Sequence, residues 1–339
     1  MSADPPVPTP SPVLSRLPPP PRAPRTDSAH RRMFSRKDPR TTTTVPDLRL
    51  ARADSVPPST LRKPRISSDY VVGTLVHRGA RCDIWTGADA ACRPVVIKIA
   101  ASDDLEVAAR ITAEARSLAL LTHRSIVRAP DHGVTPEGRP YIVLEWLKGE
   151  TLAQLLSSRA EGLPPREAIR LLLPIASALS LAHDRGIVHG DVRAEHILLV
   201  PLGPRAVVPK LIDFGSSRAV RSLEEPMSRS YVAPSPEADP AMDVRGLSAT
   251  IFHAIMGRPL FAEAAEASLM AGAHRDGLSD NDVVLWRLLA MGLTPDSQHR
   301  PRTPRELARE LCGWAGLHGL DADITGTPIR PGAGRRDKR

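Results

Sequence analysis

Apolar positions along this chain change their spacing twice. Residues 1 to about 66 show no period: Pro, Arg, Ser and Thr follow one another without a recurring apolar face, and Pro18 to Pro21 form a PPPP run. Such a stretch cannot bury a core and is expected to be a disordered tail. From Tyr70, short β-type runs appear at YVVGTLV, PVVIKIA and PYIVLEWL. Between the second and third lies DLEVAARITAEARSLALLT, where apolar residues recur at three- and four-residue spacing, as on one face of a helix. Strands around a single helix predict a small sheet-based lobe over residues 67–147. After Gly149 helical spacing dominates, in TLAQLLSSRA, PREAIRLLLPIASALSLAHDRG, DVRGLSATIFHAIMG and TPRELARELCGWAG. Pro165 suits the first turn of the second of these and Gly257 the end of the third. Thr303 and Pro304 suit the cap and first turn of the fourth. A larger helical lobe over 148–317 follows, then a basic tail over 318–339. There is no internal repeat.

Charge sharpens this division. The chain of 339 residues carries a net +8, and residues 1–66 alone hold 13 Lys+Arg against 5 Asp+Glu. Residues 330–339 add a further +4, which leaves the body between them at about −4. The basic pI belongs to the tails, which argues against a specific nucleic-acid-binding domain. Aromatic residues are 3% of the chain, so the core must rest on Leu, Ile, Val and Ala. The three cysteines, Cys82, Cys92 and Cys312, lack metal-ligand spacing and form no disulfide framework. No run of 18 apolar residues exists, so no transmembrane segment is expected. RRMFSRK (Arg31–Lys37) resembles a twin-arginine export signal, but KDPRTTTT follows it where an apolar region should stand. Retention in the cytoplasm is the expectation.

Chemistry concentrates in the body. Only six lysines stand beside 40 arginines, and one of them, Lys98, lies inside the apolar run PVVIKIA. A lysine there is costly unless paired; Glu114, in AEARSL on the predicted helix, is the expected partner. HGDVRAEHILL (His189–Leu199) resembles the H-R-D-L-K-x-x-N catalytic loop of protein kinases, and LIDFG follows with Asp213 twenty-two residues after Asp191. LVHRGARCDIW (Leu75–Trp85) stands where the glycine-rich loop belongs, and SRSYVAPSPE resembles the family's G-T-x-x-Y-x-A-P-E. These motifs arrive in the family's order over residues 70 to about 317. The chain therefore resembles a bacterial serine/threonine protein kinase of divergent type.

The resemblance implies an α+β, two-lobed protein-kinase-like fold with disordered tails, ATP as cofactor, Mg²⁺ or Mn²⁺, and a protein substrate. It implies that Asp191 accepts the substrate hydroxyl proton, that Lys98 and Glu114 pair over the phosphates, and that Arg193 keeps positive charge near the transferred group. It assigns nucleotide contacts to Gly79, Ile84, Val96, Lys98 and Leu198, to the backbone of Glu145 and Leu147 beyond Leu144, and metal ligation to Asp213 and His196. Phe214 would pack, Gly215 would act as a hinge, and Asp243 would anchor the catalytic-loop backbone.

Departures qualify the expected activity. His77 and Cys82 replace the outer glycines of the loop, leaving Gly79. Val96 replaces an alanine, and overpacking typically costs about 1–3 kcal/mol. Gly190 replaces the arginine that meets a phosphorylated activation loop. His196 replaces the metal-binding asparagine; the bland reading is a packed or solvated histidine, the sharper one a site that tolerates Mn²⁺ better than Mg²⁺. Ser228 takes the place of the activation-segment threonine. Ser235 replaces the glutamate that pairs with an arginine, here Arg300, and Glu237 is a substitute partner. The run Thr41–Thr44 has Asp47 three residues after Thr44, which suits a phosphothreonine-reading forkhead-associated partner; the plainer reading is a polar linker. Three functions are therefore compared: a weak or Mn²⁺-preferring kinase, a pseudokinase acting as a scaffold, and a small-molecule phosphotransferase.

Overall fold

The computed structural model describes residues 63–203, 206–214, 239–260, 280–294 and 301–330. The expectations for Thr41–Thr44, Gly215, Ser228, Ser235, Glu237 and Arg300 lie outside the described residues. Among the described residues, no helix is long and apolar enough to cross a membrane.

The first half is a five-stranded antiparallel sheet in the order β1-β2-β3-β5-β4. Its strands are β1 (Tyr70–Arg78), β2 (Cys82–Asp89), β3 (Pro94–Ala100), β4 (Asp131–Val134) and β5 (Pro140–Glu145). Register decides which residues share a face, because side chains alternate along a strand. Ile84, Lys98 and Ile142 stand opposite one another, as do Thr86, Val96 and Leu144. On the other face Trp85, Val95, Ile97, Ile99, Tyr141 and Val143 close a core of their own, with Ile66, Tyr70 and Leu75 packed against it. The Lys98 face is covered by helix α1 (Leu105–Ala119), whose Ile111 and Ala115 pack with Ala100 and Ile142. Asp104 starts α1 by accepting the backbone N–H groups of Glu106 and Val107, two donors that a helix start leaves orphaned.

The second half is helical. Helix α2 (Leu152–Ser157) begins in a capping box between Thr151 and Gln154. Helix α3 (Pro165–Asp184) carries Pro165 at its first turn and buries eleven of its side chains. Helix α4 (Pro240–Met256) is buried on nearly every side and stops at Gly257, φ 70°. Helices α5 (Asp280–Leu293) and α6 (Pro304–Leu317) complete the core, α6 starting where Thr303 caps Glu306. A small sheet, β6 (Glu150–Thr151), β7 (Ile197–Pro201) and β8 (Val207–Leu211), lies beside α2 and α3.

Strands β2 and β4 and helix α5 carry too weak a period to be predicted. Strand β2 includes Thr86, Gly87 and Ala88, and β4 is the four-residue edge DHGV. The predicted tail from residue 318 also differs from the structure. Residues 318–330 fold back on α3: Leu320 is buried, Arg170 donates to the Ala322 carbonyl at 3.0 Å, and Ile324 N–H donates to the Arg170 carbonyl at 2.9 Å. Asp323 closes the turn by accepting from the N–H groups of Thr325 and Thr327. Leu320→Ala is expected to lower unfolding free energy by about 2 kcal/mol, read as a shift in the urea midpoint. An unchanged midpoint would mean that this segment adds nothing to the fold.

Candidate functional site

An ion triplet joins the two halves. Lys98 Nζ donates to Glu114 Oε2 at 2.7 Å and to Asp213 Oδ1 at 2.5 Å. Lys98 comes from the helix-covered face of β3, Glu114 from the buried stripe of α1, and Asp213 from the segment after β8. Burial alone would lower the pKa of the Lys98 ammonium, but the Asp213 and Glu114 carboxylates override it and hold the group above the usual lysine range. Burial works on Glu114 in the other sense and pushes its carboxyl up to about 7, against the pull of Lys98. Asp213 is only half-buried; desolvation raises its carboxyl, but Lys98 and then His196 hold it well below the usual carboxylate range. Asp213 has φ 66°, a left-handed conformation that costs a non-glycine residue about 1–2 kcal/mol. Its bond to Lys98 and the burial of Phe214 keep it there.

The loop before β7 supplies the other candidates. His189 is fully buried, donates from Nε2 to the Ile212 carbonyl at 3.0 Å, and takes the Asp191 N–H on Nδ1 at 3.2 Å. Its ring meets the edge of Phe214 at 4.7 Å. With both nitrogens spent inside the fold, His189 is a structural strut. Asp243 of α4 accepts from the N–H groups of His189 and Gly190 at 2.9 and 2.7 Å, the anchor expected of it, and also from His183 Nε2 at 2.7 Å. Gly190 has φ 81°, so the backbone here suits glycine and not the arginine of the family pattern.

Asp191 and His196 are brought against Asp213. His196 Nδ1 donates to the Asp191 carbonyl at 2.9 Å and lies 3.4 Å from Asp191 Oδ2. Its Nε2 lies 3.7 Å from Asp213 Oδ2. With Nδ1 spent on that carbonyl, Nε2 is the ring nitrogen left facing Asp213. Asp191 Oδ1 is buried and accepts no hydrogen bond, an oxygen with unspent capacity. His196 Nε2 and Asp213 Oδ2 are two donors of the kind a divalent cation accepts, so a bound cation would draw its remaining ligands from elsewhere. Among the described residues, no three His, Cys, Asp or Glu side chains form a complete ligand group.

Other predicted residues turn to local partners. The Gly79 N–H, assigned by resemblance to phosphate, is spent on the Cys82 carbonyl at 3.0 Å. A Cβ at Gly79 would stand 2.9 Å from that same oxygen, so the tight β1–β2 turn itself requires glycine. Burial raises the pKa of the Cys82 thiol, which keeps it protonated beside Lys98. Arg193 Nε donates to Glu195 at 3.0 Å. Ile84 and Val96 share the Lys98 face of the sheet, while Leu198 is buried on β7 opposite Lys210. Glu145 gives its N–H to the Arg128 carbonyl, whereas Leu147 keeps both backbone groups unspent among the described residues.

Sequence reasoning missed the Lys210 Nζ bond to Glu145 Oε1 at 2.6 Å and the Arg193–Glu195 pair. Scarcity could have flagged Lys210, one of six lysines and placed in an apolar run; no comparable signal marks Glu195.

Comparison with known proteins matches a protein kinase domain to residues 70–309. Serine/threonine-protein kinase PknL of Mycobacterium tuberculosis is 31% identical over 216 residues, covering 59% of this chain and 52% of that protein. PknA of the same species is 33% identical over 217 residues, 58% of this chain and 49% of that protein. The chain thus spans about half the length of these curated relatives. The PknI kinase domain of Mycobacterium tuberculosis superposes with a TM-score of 0.58 at 23% identity, covering 75% of this chain and 99% of that one. At that identity the likeness establishes the two-lobed fold: the β-sheet lobe with α1 and the helical lobe, as the motifs implied.

Proposed function

This chain belongs to the protein kinase family, and on that premise we propose that it transfers the ATP γ-phosphoryl group to Ser or Thr hydroxyls of protein substrates. The observation that carries the reading is Lys98 bonded at once to Glu114 and Asp213. Transfer in this family needs the strand lysine paired with the helix glutamate, and the DFG aspartate in place. Both bonds fit that requirement.

The roles follow from position. Lys98 steadies phosphate charge, and Glu114 keeps its ammonium aimed. Asp191, with one carboxylate oxygen unspent, takes the proton of the attacking hydroxyl. Ile84, Val96 and Leu198 enclose the base, and the backbone of Glu145 and Leu147 reads its edge. Gly79 contributes close backbone approach at the hairpin, not its N–H. Arg193, tied to Glu195, supplies positive charge from a fixed position. Asp213 and His196 would hold the divalent cation, which when bound offsets charge on the phosphates. We assign the N-lobe to residues 67–147 and extend the C-lobe from 148 to 330.

An imidazole ligand suits Mn²⁺ better than Mg²⁺, which prefers oxygen. Wild-type chain is therefore expected to label itself from ATP faster with Mn²⁺. His196→Asn should lower the Mn²⁺-to-Mg²⁺ rate ratio at least about tenfold, with weaker Mn²⁺ binding by electron paramagnetic resonance. An unchanged ratio would remove His196 from the metal site. A second reading, a nucleotide-binding scaffold, is favoured by the Gly79 N–H being spent inside its hairpin. Nucleotide binding without transfer under either metal would decide for it.

A further inference from the structure

A cavity of about 410 Å³ lies between the end of α1, the loop that follows it and β8. Its walls include Leu118 and Leu121 at the end of α1, His123, Arg124 and Arg128 of the following loop, and Lys210 of β8. None of its lining residues is acidic. Arg124 and Arg128 are exposed, and neither guanidinium has a hydrogen-bond or ion-pair partner among the described residues. His123 is spent: Nδ1 accepts the Ser125 N–H at 3.1 Å and Nε2 meets Ser177 Oγ at 3.3 Å. Burial, then Arg124 and Lys210, lower its pKa, so it adds no charge at neutral pH. Two arginines whose guanidinium groups have no partner among the described residues therefore line a small hollow beside Ala129 and Pro130.

We propose that this cavity binds a small phosphate monoester, and that its occupancy is coupled to the nucleotide site. Guanidinium forks match the paired oxygens of phosphate, and the apolar surface of Ala129 and Pro130 receives the organic body. A volume of this order, within the roughly 300–1,000 Å³ of small-ligand pockets, suits a metabolite-sized molecule and not a helix or strand of a protein partner.

Coupling follows from three bonds to one residue. Glu145 Oε1 accepts the Arg128 N–H at 2.8 Å and Lys210 Nζ at 2.6 Å, and Glu145 N–H donates to the Arg128 carbonyl at 2.9 Å. An anion that draws Lys210 or the Arg128 loop toward itself loosens Glu145, the residue assigned above to the adenine edge. This half of the inference rests on that assignment. By linkage the effect runs equally in both directions.

The test is calorimetric titration of the full chain with inorganic phosphate and with glycerol phosphate, at fixed ionic strength. Wild type, Arg124→Gln/Arg128→Gln and Lys98→Ala are compared. Binding is expected in wild type and in Lys98→Ala, tighter for glycerol phosphate, and weakened about tenfold or more in the double variant. Binding lost only in Lys98→Ala would place the anion in the nucleotide site and overturn the inference. Equal binding in all three proteins would do the same, by showing a diffuse charge effect. AMP-PNP affinity is then measured with and without glycerol phosphate. A shift of about threefold in wild type, absent from the double variant, is expected for coupling of ordinary size. Anion binding without that shift refutes the coupling, whereas absence of AMP-PNP binding altogether refutes the nucleotide-site assignment and leaves the anion site established by the first titration.

Discussion

Asp191→Asn is expected to cut phosphoryl transfer by about 10²–10⁴-fold, the range of a lost general base, without lowering the stability of the fold. Both halves of that expectation come from the same carboxylate. Its Oδ1 is buried and accepts no hydrogen bond, and the His196 Nδ1–H bond runs to the Asp191 main-chain carbonyl. The fold therefore spends little on this side chain. An amide of the same shape keeps the main-chain bond and removes a buried charge, so the thermal midpoint should hold or rise. Asparagine cannot take a proton from a hydroxyl at neutral pH, so transfer should fail at every substrate concentration while nucleotide affinity persists. The measurement is autophosphorylation beside a thermal melt of the same preparation. Transfer retained at more than a tenth of wild type would exclude Asp191 as the base. A melt lowered by several degrees would show instead that the side chain has a structural duty that its unpaired oxygen does not suggest.

What was legible in the sequence was whatever a local rule enforces. Pro165, Thr303 and Pro304 mark helix starts because proline and a capping hydroxyl suit the first turn, and Gly257 marks a stop because it adopts φ 70°. Lys98 stood out because a charge in an apolar strand must be paired, and its partners are Glu114 and Asp213. The hairpin β1–β2 was not legible as two strands, because a loop that suits nucleotide approach and a tight turn closed by Gly79 N–H on Cys82 have the same local sequence. Nor was the fate of residues 318–330. Their apolar positions, Leu320, Ile324 and Ile329, are too few to announce a period, and they gain a partner only when α3 presents Arg170. Arg193 illustrates the same limit. Its charge was readable, but its pairing with Glu195 depends on the 3₁₀ turn Ala194–His196.

Lys98→Met is expected to abolish transfer and also to make stability depend steeply on pH. In the wild-type fold Glu114 is raised from an ordinary value near 4.5 to about 7. The folded chain thus holds that proton more tightly than the unfolded one. Glu114 therefore favours the fold below pH 4.5, and that contribution is lost as pH rises through 7. Asp213 acts with the opposite sign: its depressed value favours the fold above the ordinary carboxylate range and loses this as pH falls. Removing the ammonium lifts both carboxylates, because burial continues to resist their charge and nothing nearby offsets it as Lys98 did. Below neutrality the variant can protonate them, and the loss of stability is modest. Above neutrality it must hold Glu114 as an unpaired buried charge beside the half-buried Asp213, and breaking a buried pair of the Lys98–Glu114 kind costs about 3–5 kcal/mol. Urea unfolding at pH 5 and pH 8 separates the cases: wild type and variant should lie close at pH 5 and diverge at pH 8. A constant gap across that range would mean that the carboxylates find other cations or solvent. Retained transfer in the variant would remove Lys98 from the phosphate-binding role altogether.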